Sequence, residues 1–140
     1  MCLNKELVNL IKHSQKQGKQ HKLENVLSKT LKQLSKQGEQ KFWLKLTKSL
    51  ENLYPVINLR LQKRRMFISY QPTLITKQRQ QFLAYKWLLD GLKKQTGNSF
   101  GMRLLNEINQ TLEKKSTSID LQKELYDIAF QRLIRRRKHF

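Results

Sequence analysis

Apolar residues recur along this chain at two different periods, and the change of period divides it. Leu3, Leu7, Leu10 and Ile11 fall at i, i+4, i+7 and i+8, the spacing of one helix face. Gly18 follows and supplies the left-handed position that ends a helix. A second stripe, Leu23, Val26, Leu27, Leu31 and Leu34, closes at Gly38. The strings Lys16-Gln17-Gly18 and Lys36-Gln37-Gly38 read as two helix ends in a Lys/Gln-biased sequence, not as a solenoid repeat. Phe42, Trp43, Leu46, Leu50 and Leu53 make a third stripe, which stops near Pro55 because proline disfavours helix at the residue before it.

From Val56 the period becomes two. Ile57, Leu59 and Leu61 alternate with Asn58, Arg60 and Gln62, and after Lys63-Arg64-Arg65 the residues Met66, Ile68 and Tyr70 alternate again. Alternation on both sides of a polar break predicts a β-hairpin over about residues 56–75. Neither Asn-Gly nor Asp-Gly marks its turn, and Pro72 makes the returning strand an edge or ends it. Helical spacing then resumes in Phe82, Tyr85, Leu88, Leu89 and Leu92, ending at Gly97. Ser99 is a good N-cap for a helix bearing Met102, Leu105, Ile108 and Leu112. After a loop over Lys114–Ser118, a final helix carries Leu121, Leu125, Ile128, Ala129 and Leu133. The predicted fold is mainly α: about six helices in a bundle, with a protruding two-stranded β-hairpin between the third and fourth.

Composition narrows what such a fold does. At 140 residues the chain predicts one domain over 1–140. Its 29 Lys+Arg against 10 Asp+Glu give a net charge of +19, which repels itself on compaction and asks for a polyanion. No run approaches the ~20 apolar residues that span a bilayer. One cysteine, Cys2, excludes a disulfide framework and a cysteine-based zinc site. The start, Met1 to Val8, shows neither a secretory apolar region nor an Arg/Ser-rich leader, so the expectation is a protein used in the compartment where it is made or brought there by a route the sequence does not show. Gly-rich phosphate loops, His-Glu-x-x-His and Gly-x-Ser-x-Gly are missing. His13, His21 and His139 read as basic-surface residues with no carboxylate to orient them, and Asp90, Asp120 and Asp127 as members of ion pairs or caps. No catalytic residue, metal, cofactor or small-molecule substrate is expected, and no enzyme.

The charge is unevenly placed. From Asn52 through Leu89 there is no acid, while Arg60, Lys63, Arg64, Arg65, Lys77, Arg79 and Lys86 all fall there. Between Glu6 and Glu24 the ionisable residues are Lys12, Lys16, Lys19, Lys22 and two histidines. A solvated face usually mixes both signs, so these stretches are the candidate nucleic-acid contacts. Arg135, Arg136, Arg137 and Lys138, within a basic tail over 132–140, join them. A narrow ribbon with Arg at its tip reaches into a groove, where Phe67 and Tyr70 are candidates to stack on unpaired bases.

Several of these segments form an ordered set: Leu53-Tyr54-Pro55-Val56-Ile57-Asn58-Leu59-Arg60, Lys63-Arg64-Arg65, Tyr70-Gln71-Pro72, Phe82 to Leu89, and Arg103-Leu104-Leu105-Asn106-Glu107-Ile108. In this order and spacing they resemble the small-subunit ribosomal protein seven family, from Lys5 onward and most strongly from Leu53 to Ile108. The resemblance implies a helical bundle with a β-ribbon that binds the 3′ major (head) domain of small-subunit rRNA and starts head assembly. It further implies a hairpin near the exit (E) site, with mRNA and E-site tRNA beside it and ribosomal proteins eleven and nine as neighbours. Carried over by position, Arg60, Lys63, Arg64 and Arg65 match the basic hairpin, Lys77 and Arg79 the basic start of the fourth helix, and Lys86 the Arg before Trp87. Lys12, Lys16 and Lys19 match the basic first helix and turn.

Departures from the family pattern are local. The Gly-Gly after Arg-Arg is here Met66-Phe67, the basic N-terminal arm is missing, and Asp120-Leu121-Gln122-Lys123 replaces a basic run. The chain ends His139-Phe140 after its own basic cluster. Ala 2, Gly 5 and Pro 2 beside abundant Lys, Asn and Gln are what AT-rich genes give. That bias, with a divergence of this size and no leader, resembles an organelle-encoded protein, and because plastid members usually stay closer to the bacterial pattern the expectation is a mitochondrial ribosome over a plastid or bacterial one. The competing readings are a sequence-specific helix-turn-helix DNA-binding protein joined at Gly18 or Gly97, and a membrane-surface protein. Long apolar stripes containing Trp43 and Trp87 favour helices packed on one another over helices lying on lipid.

Overall fold

The computed structural model describes residues 5–36 and 42–138. Its elements run α1 (Lys5–Ser14), α2 (Gln20–Lys36), α3 (Phe42–Leu53), β1 (Ile57–Arg64), β2 (Phe67–Leu74), α4 (Lys77–Lys94), α5 (Phe100–Leu112) and α6 (Thr117–Lys138). Six helices with a hairpin between the third and fourth is the architecture read from the sequence. Leu3, Cys2, Gly38, His139 and Phe140 lie outside the described residues.

Leu7, Leu10 and Ile11 of α1 meet Leu27 and Leu34 of α2, Leu46, Leu50 and Leu53 of α3, Tyr85, Leu88 and Leu92 of α4, and Leu104 and Ile108 of α5 in one core. α1 stops at Ser14, ahead of Gly18, and the chain turns through left-handed Gln17 and Gly18 into α2. The inner face of α2 reads Leu27, Thr30, Leu34, with Val26 turned out. Thr30 is inside because buried Gly101 of α5 packs directly on its side chain. Ser99 caps α5 as expected, its hydroxyl accepting from the Gly101 N–H at 3.2 Å, while Met102 faces outward.

α4 departs from its expected stripe. Besides Tyr85, Leu88 and Leu92 it buries Leu83, Trp87 and Gly91, because α6 lies along that second side, with the Ser118 hydroxyl donating to the Trp87 carbonyl at 3.0 Å. A helix gripped from two sides turns its apolar wedge, and Phe82 comes out, 38% exposed. Glu107, fully buried, ties the junction: it accepts from Gln95 Nε2 at 2.7 Å and from the Ser118 hydroxyl. α6 begins inside the expected loop, at Thr117, since the Ser116 hydroxyl accepts from the Ile119 N–H at 3.3 Å and caps the first turn. Only Ile119 and Ala129 of its described residues are buried apolar side chains, and Ile128 and Leu133 are exposed.

β1 and β2 pair antiparallel from Ile57↔Leu74 to Arg64↔Phe67, leaving Arg65-Met66 as a two-residue turn. Such turns need positive φ, usually supplied by Gly or Asn; here Arg65 supplies it at 46°. Pairs alternate between hydrogen-bonded and not. Counting from a bonded Arg64↔Phe67, Leu59↔Pro72 is a non-bonded pair, so the N–H that proline lacks would have pointed to the open edge. The strand therefore runs through Pro72 to Leu74. At the base, the Val56 N–H donates to Tyr126 Oη of α6 at 2.9 Å. Tyr126→Phe is expected to cost about 0.5 kcal/mol in urea denaturation, the low end for one hydrogen bond at an exposed site.

Candidate nucleic-acid interface

Every predicted contact whose side chain is described is exposed: Lys12, Lys16, Lys19, Lys22, Arg60, Lys63, Arg64, Arg65, Lys77, Arg79, Lys86, Arg135, Arg136 and Arg137. The side chain of Lys138 lies outside the described residues. The structure sorts these cations into three places.

The first is a groove where the C-terminal end of α1 and the turn into α2 face α4 and α5. Three adjoining cavities make it. Ser14, Lys16, Lys19, Lys22, Val26 and Phe100 line one; Lys16, Lys93, Phe100 and Arg103 line the next, with His13; His13, Phe82, Lys86, Asp90 and Lys93 line the third. The groove thus joins Lys86 to Lys16, Lys19 and Lys22, far from it in sequence, and adds Lys93, Arg103 and two phenylalanines that the charge pattern did not single out. Arg103 Nε is buried with no hydrogen-bond partner among the described residues. Two acids temper this face. Asp90 pairs with Lys93 at 2.8 Å, as its sequence neighbours suggested. Glu24 accepts from Gln20 Nε2 at 2.8 Å and pairs with His21 Nδ1 at 3.2 Å. Those two contacts, Gln20 first, hold its carboxyl below the usual carboxylate value. His21 therefore does have a carboxylate beside it, one helical turn on.

His13 is more than a surface base. Its ring stacks on Tyr85 at 5.0 Å and 25° and meets Phe82 edge-on at 5.4 Å. Tyr85 is buried beneath it, donating its hydroxyl to the Glu6 carboxylate; burial first, then Glu6, holds that phenol far above its ordinary range. Partial burial, and then the Lys12 charge, lower the pKa of His13. A folded value below the unfolded one of about 6.5 means that the unfolded chain binds this proton more tightly. The associated stability is fully present above about pH 6.5 and is lost as pH falls towards the folded value. Denaturant midpoints compared across that window should fall less in His13→Gln than in the wild type.

The hairpin is the second place. Direct pairing fixes its faces: Arg60 and Arg64 share one with Phe67, Gln71 and Thr73, while Leu59, Leu61, Ile68, Tyr70 and Pro72 share the other with Lys63. Phe67 and Tyr70, three residues apart, therefore lie on opposite sides. Phe67 is 79% exposed beside Arg64, its pairing partner. Tyr70 stands on the apolar face. Arg65 and Met66 form the tip, and Met66 is 92% exposed. The third place is the end of α6, where Arg136 and Arg137 flank exposed Phe130, Leu133 and Ile134. Lys77 and Arg79 open α4 between groove and hairpin, with the Arg79 guanidinium 4.9 Å from the Phe82 ring centroid.

No group of three or more His, Cys, Asp or Glu able to hold a metal occurs among the described residues, and no described helix is long and apolar enough to cross a membrane. A model of the family described as "Ribosomal protein S7p/S5e" matches residues 3–131. The chain belongs to this family. Among similar proteins, the small ribosomal subunit protein uS7 of Buchnera aphidicola subsp. Cinara cedri is 29% identical over 113 residues, 80% of this chain and 72% of that protein. The small ribosomal subunit protein uS7c of Tetradesmus obliquus is 26% identical over 121 residues, covering 86% of this chain and 72% of its own length. The uS7 protein of Nitrosomonas eutropha is 26% identical over 127 residues, 90% of this chain and 81% of that protein. S7p/S5e proteins are structural and non-enzymatic, and so is this one.

Proposed function

We propose that the chain is a structural constituent of the small ribosomal subunit, one RNA-binding unit over residues 1–140. It binds the 3′ major domain of small-subunit rRNA, nucleates assembly of the head, and sets its hairpin near the E site and the mRNA path. The observation that carries this is the groove, where Lys16 and Lys19 of the α1–α2 turn converge with Lys22, Lys86, Lys93 and Arg103 of three helices and with aromatic rings. Cations neutralise phosphates and rings stack on unpaired bases, which suits folded RNA better than a regular duplex. Lys12, Lys77, Arg79, Arg135, Arg136, Arg137 and Lys138 extend the rRNA contacts. Arg60, Arg64, Arg65 and Phe67 face mRNA and E-site tRNA, with Lys63 and Tyr70 on the other face of the same ribbon. The apolar face bearing Tyr70 is offered to neighbouring ribosomal proteins, eleven and nine among them.

The composition supports a mitochondrial ribosome in the matrix, with the protein encoded in the organelle. Sedimentation of native lysate on sucrose gradients tests the whole reading. Co-migration with small subunits of mitochondrial ribosomes is expected at low salt, and co-migration that survives ~0.5 M salt means that buried contacts hold the protein besides the exposed cations, which are released there. Migration as a free small protein, or with DNA, would sink it; co-migration with bacterial or plastid subunits would sink the compartment alone.

A further inference from the structure

The α1–α4 end of the groove holds a feature that phosphate binding does not use. His13, Phe82, Lys86, Leu89, Asp90 and Lys93 enclose a cavity of about 310 Å³. Its α4 residues stand at i, i+4, i+7, i+8 and i+11, one stripe of that helix. His13 is backed by Tyr85 and Phe82 is held by Arg79, so both rings are fixed in place. The lowered pKa of His13 keeps its ring neutral at pH 7, a π-face without one more positive charge. The odd member is Asp90. A site built for phosphate gains from cations and loses from a carboxylate, which accepts hydrogen bonds and donates none. In RNA, donors for a carboxylate are the 2′-hydroxyls, the same on every nucleotide, and the base edges, which differ and which unpaired bases present to proteins. Guanine alone offers two adjacent donors, N1–H and the N2 amino group, to the two oxygens of one carboxylate. The exposed Asp90–Lys93 pair costs little to exchange, which frees Lys93 for phosphate.

We propose that this cavity takes an unpaired guanine of RNA, stacked on the His13 ring with Phe82 against its side, its Watson–Crick edge on Asp90 and its flanking phosphates on Lys86 and Lys93. The proposal rests on the RNA-binding reading above. The test measures binding of the full chain, at one salt concentration, to a short RNA duplex with one bulged nucleotide, made with G, A, C, U or an abasic residue. The guanine bulge should bind about tenfold more tightly than the other four, the size expected of a bidentate base contact with stacking. Asp90→Asn should abolish that preference without weakening the abasic duplex, and Phe82→Leu should weaken the base-bearing versions but spare the abasic one. Both positions are at the surface, and an unchanged helical circular dichroism spectrum verifies the fold. Equal binding of all five duplexes, preference for another base, or a guanine preference that survives Asp90→Asn would overturn the proposal while leaving RNA binding standing. No binding of any duplex would overturn both.

Discussion

Affinity for small-subunit rRNA should fall by about 10³–10⁵ between 50 and 200 mM salt, if seven to ten of the exposed cations meet phosphates. Each such contact releases condensed counterions, and the slope of log affinity against log salt is about −0.9 per duplex phosphate and −0.7 per single-strand phosphate. The structure provides the count: groove, hairpin and α6 end together expose more than ten lysines and arginines. Replacing Lys63, Arg64 and Arg65 together by Ala should reduce the magnitude of that slope by roughly two to three. All three are solvent-exposed at the free end of the ribbon, so the bundle is untouched. Arg65→Gly separates charge from geometry, because glycine relieves the positive φ while one contact is lost. Filter binding over a salt series reads both numbers, and an unchanged slope in the triple variant would remove the hairpin from the interface.

Much of the scaffold was legible because burial on one side imposes a period. The stripes of α1 and α3 are such one-sided patterns, and the structure keeps their described residues inside; α2 exchanges Val26 for Thr30, and the alternation of β1 survives as the two faces of the ribbon, not as alternating burial. α4 was misread where it has two neighbours: Leu83 and Trp87 meet α6, and Phe82, counted as core, became part of the surface. The opposite placement of Phe67 and Tyr70 follows from parity alone once the turn is located. The turn was hidden because Arg65 takes a conformation that sequence assigns to glycine or asparagine. The hairpin cations were visible as an acid-free run. The groove was not, since Lys16, Lys93, Phe100 and Arg103 come from separate elements and only packing tells which faces meet. The pairing of His21 with Glu24 follows from their i, i+3 spacing on α2.

Packing of the groove's walls depends on two glycines, and filling either should loosen the fold. A Cβ at Gly91 would strike the carboxyl of Glu107 and the hydroxyl of Ser118, both buried. Overpacking costs about 1–3 kcal/mol, and a displaced buried carboxylate loses its hydrogen bonds for about as much again. Alanine's better helix propensity returns about 1 kcal/mol, so Gly91→Ala should lose about 1–5 kcal/mol in denaturant unfolding. Gly101→Ala meets only Thr30 and should lose about 1–2 kcal/mol. Because Thr30→Ala removes the methyl and the hydroxyl but leaves its own Cβ, it should restore part of that loss in the double variant. The two sites also differ in what they move. Gly101 sets α2 against α5, which carry Lys22 and Phe100 at one end of the groove. Gly91 sets α4 against α6, which position Asp90 and Lys93 and, through Tyr126, the base of the hairpin. Gly91→Ala should therefore weaken RNA binding at two places and Gly101→Ala at one. Wild-type stability in Gly91→Ala would mean that Glu107 and Ser118 yield freely, and that the α4–α6 contact does not fix the hairpin's direction.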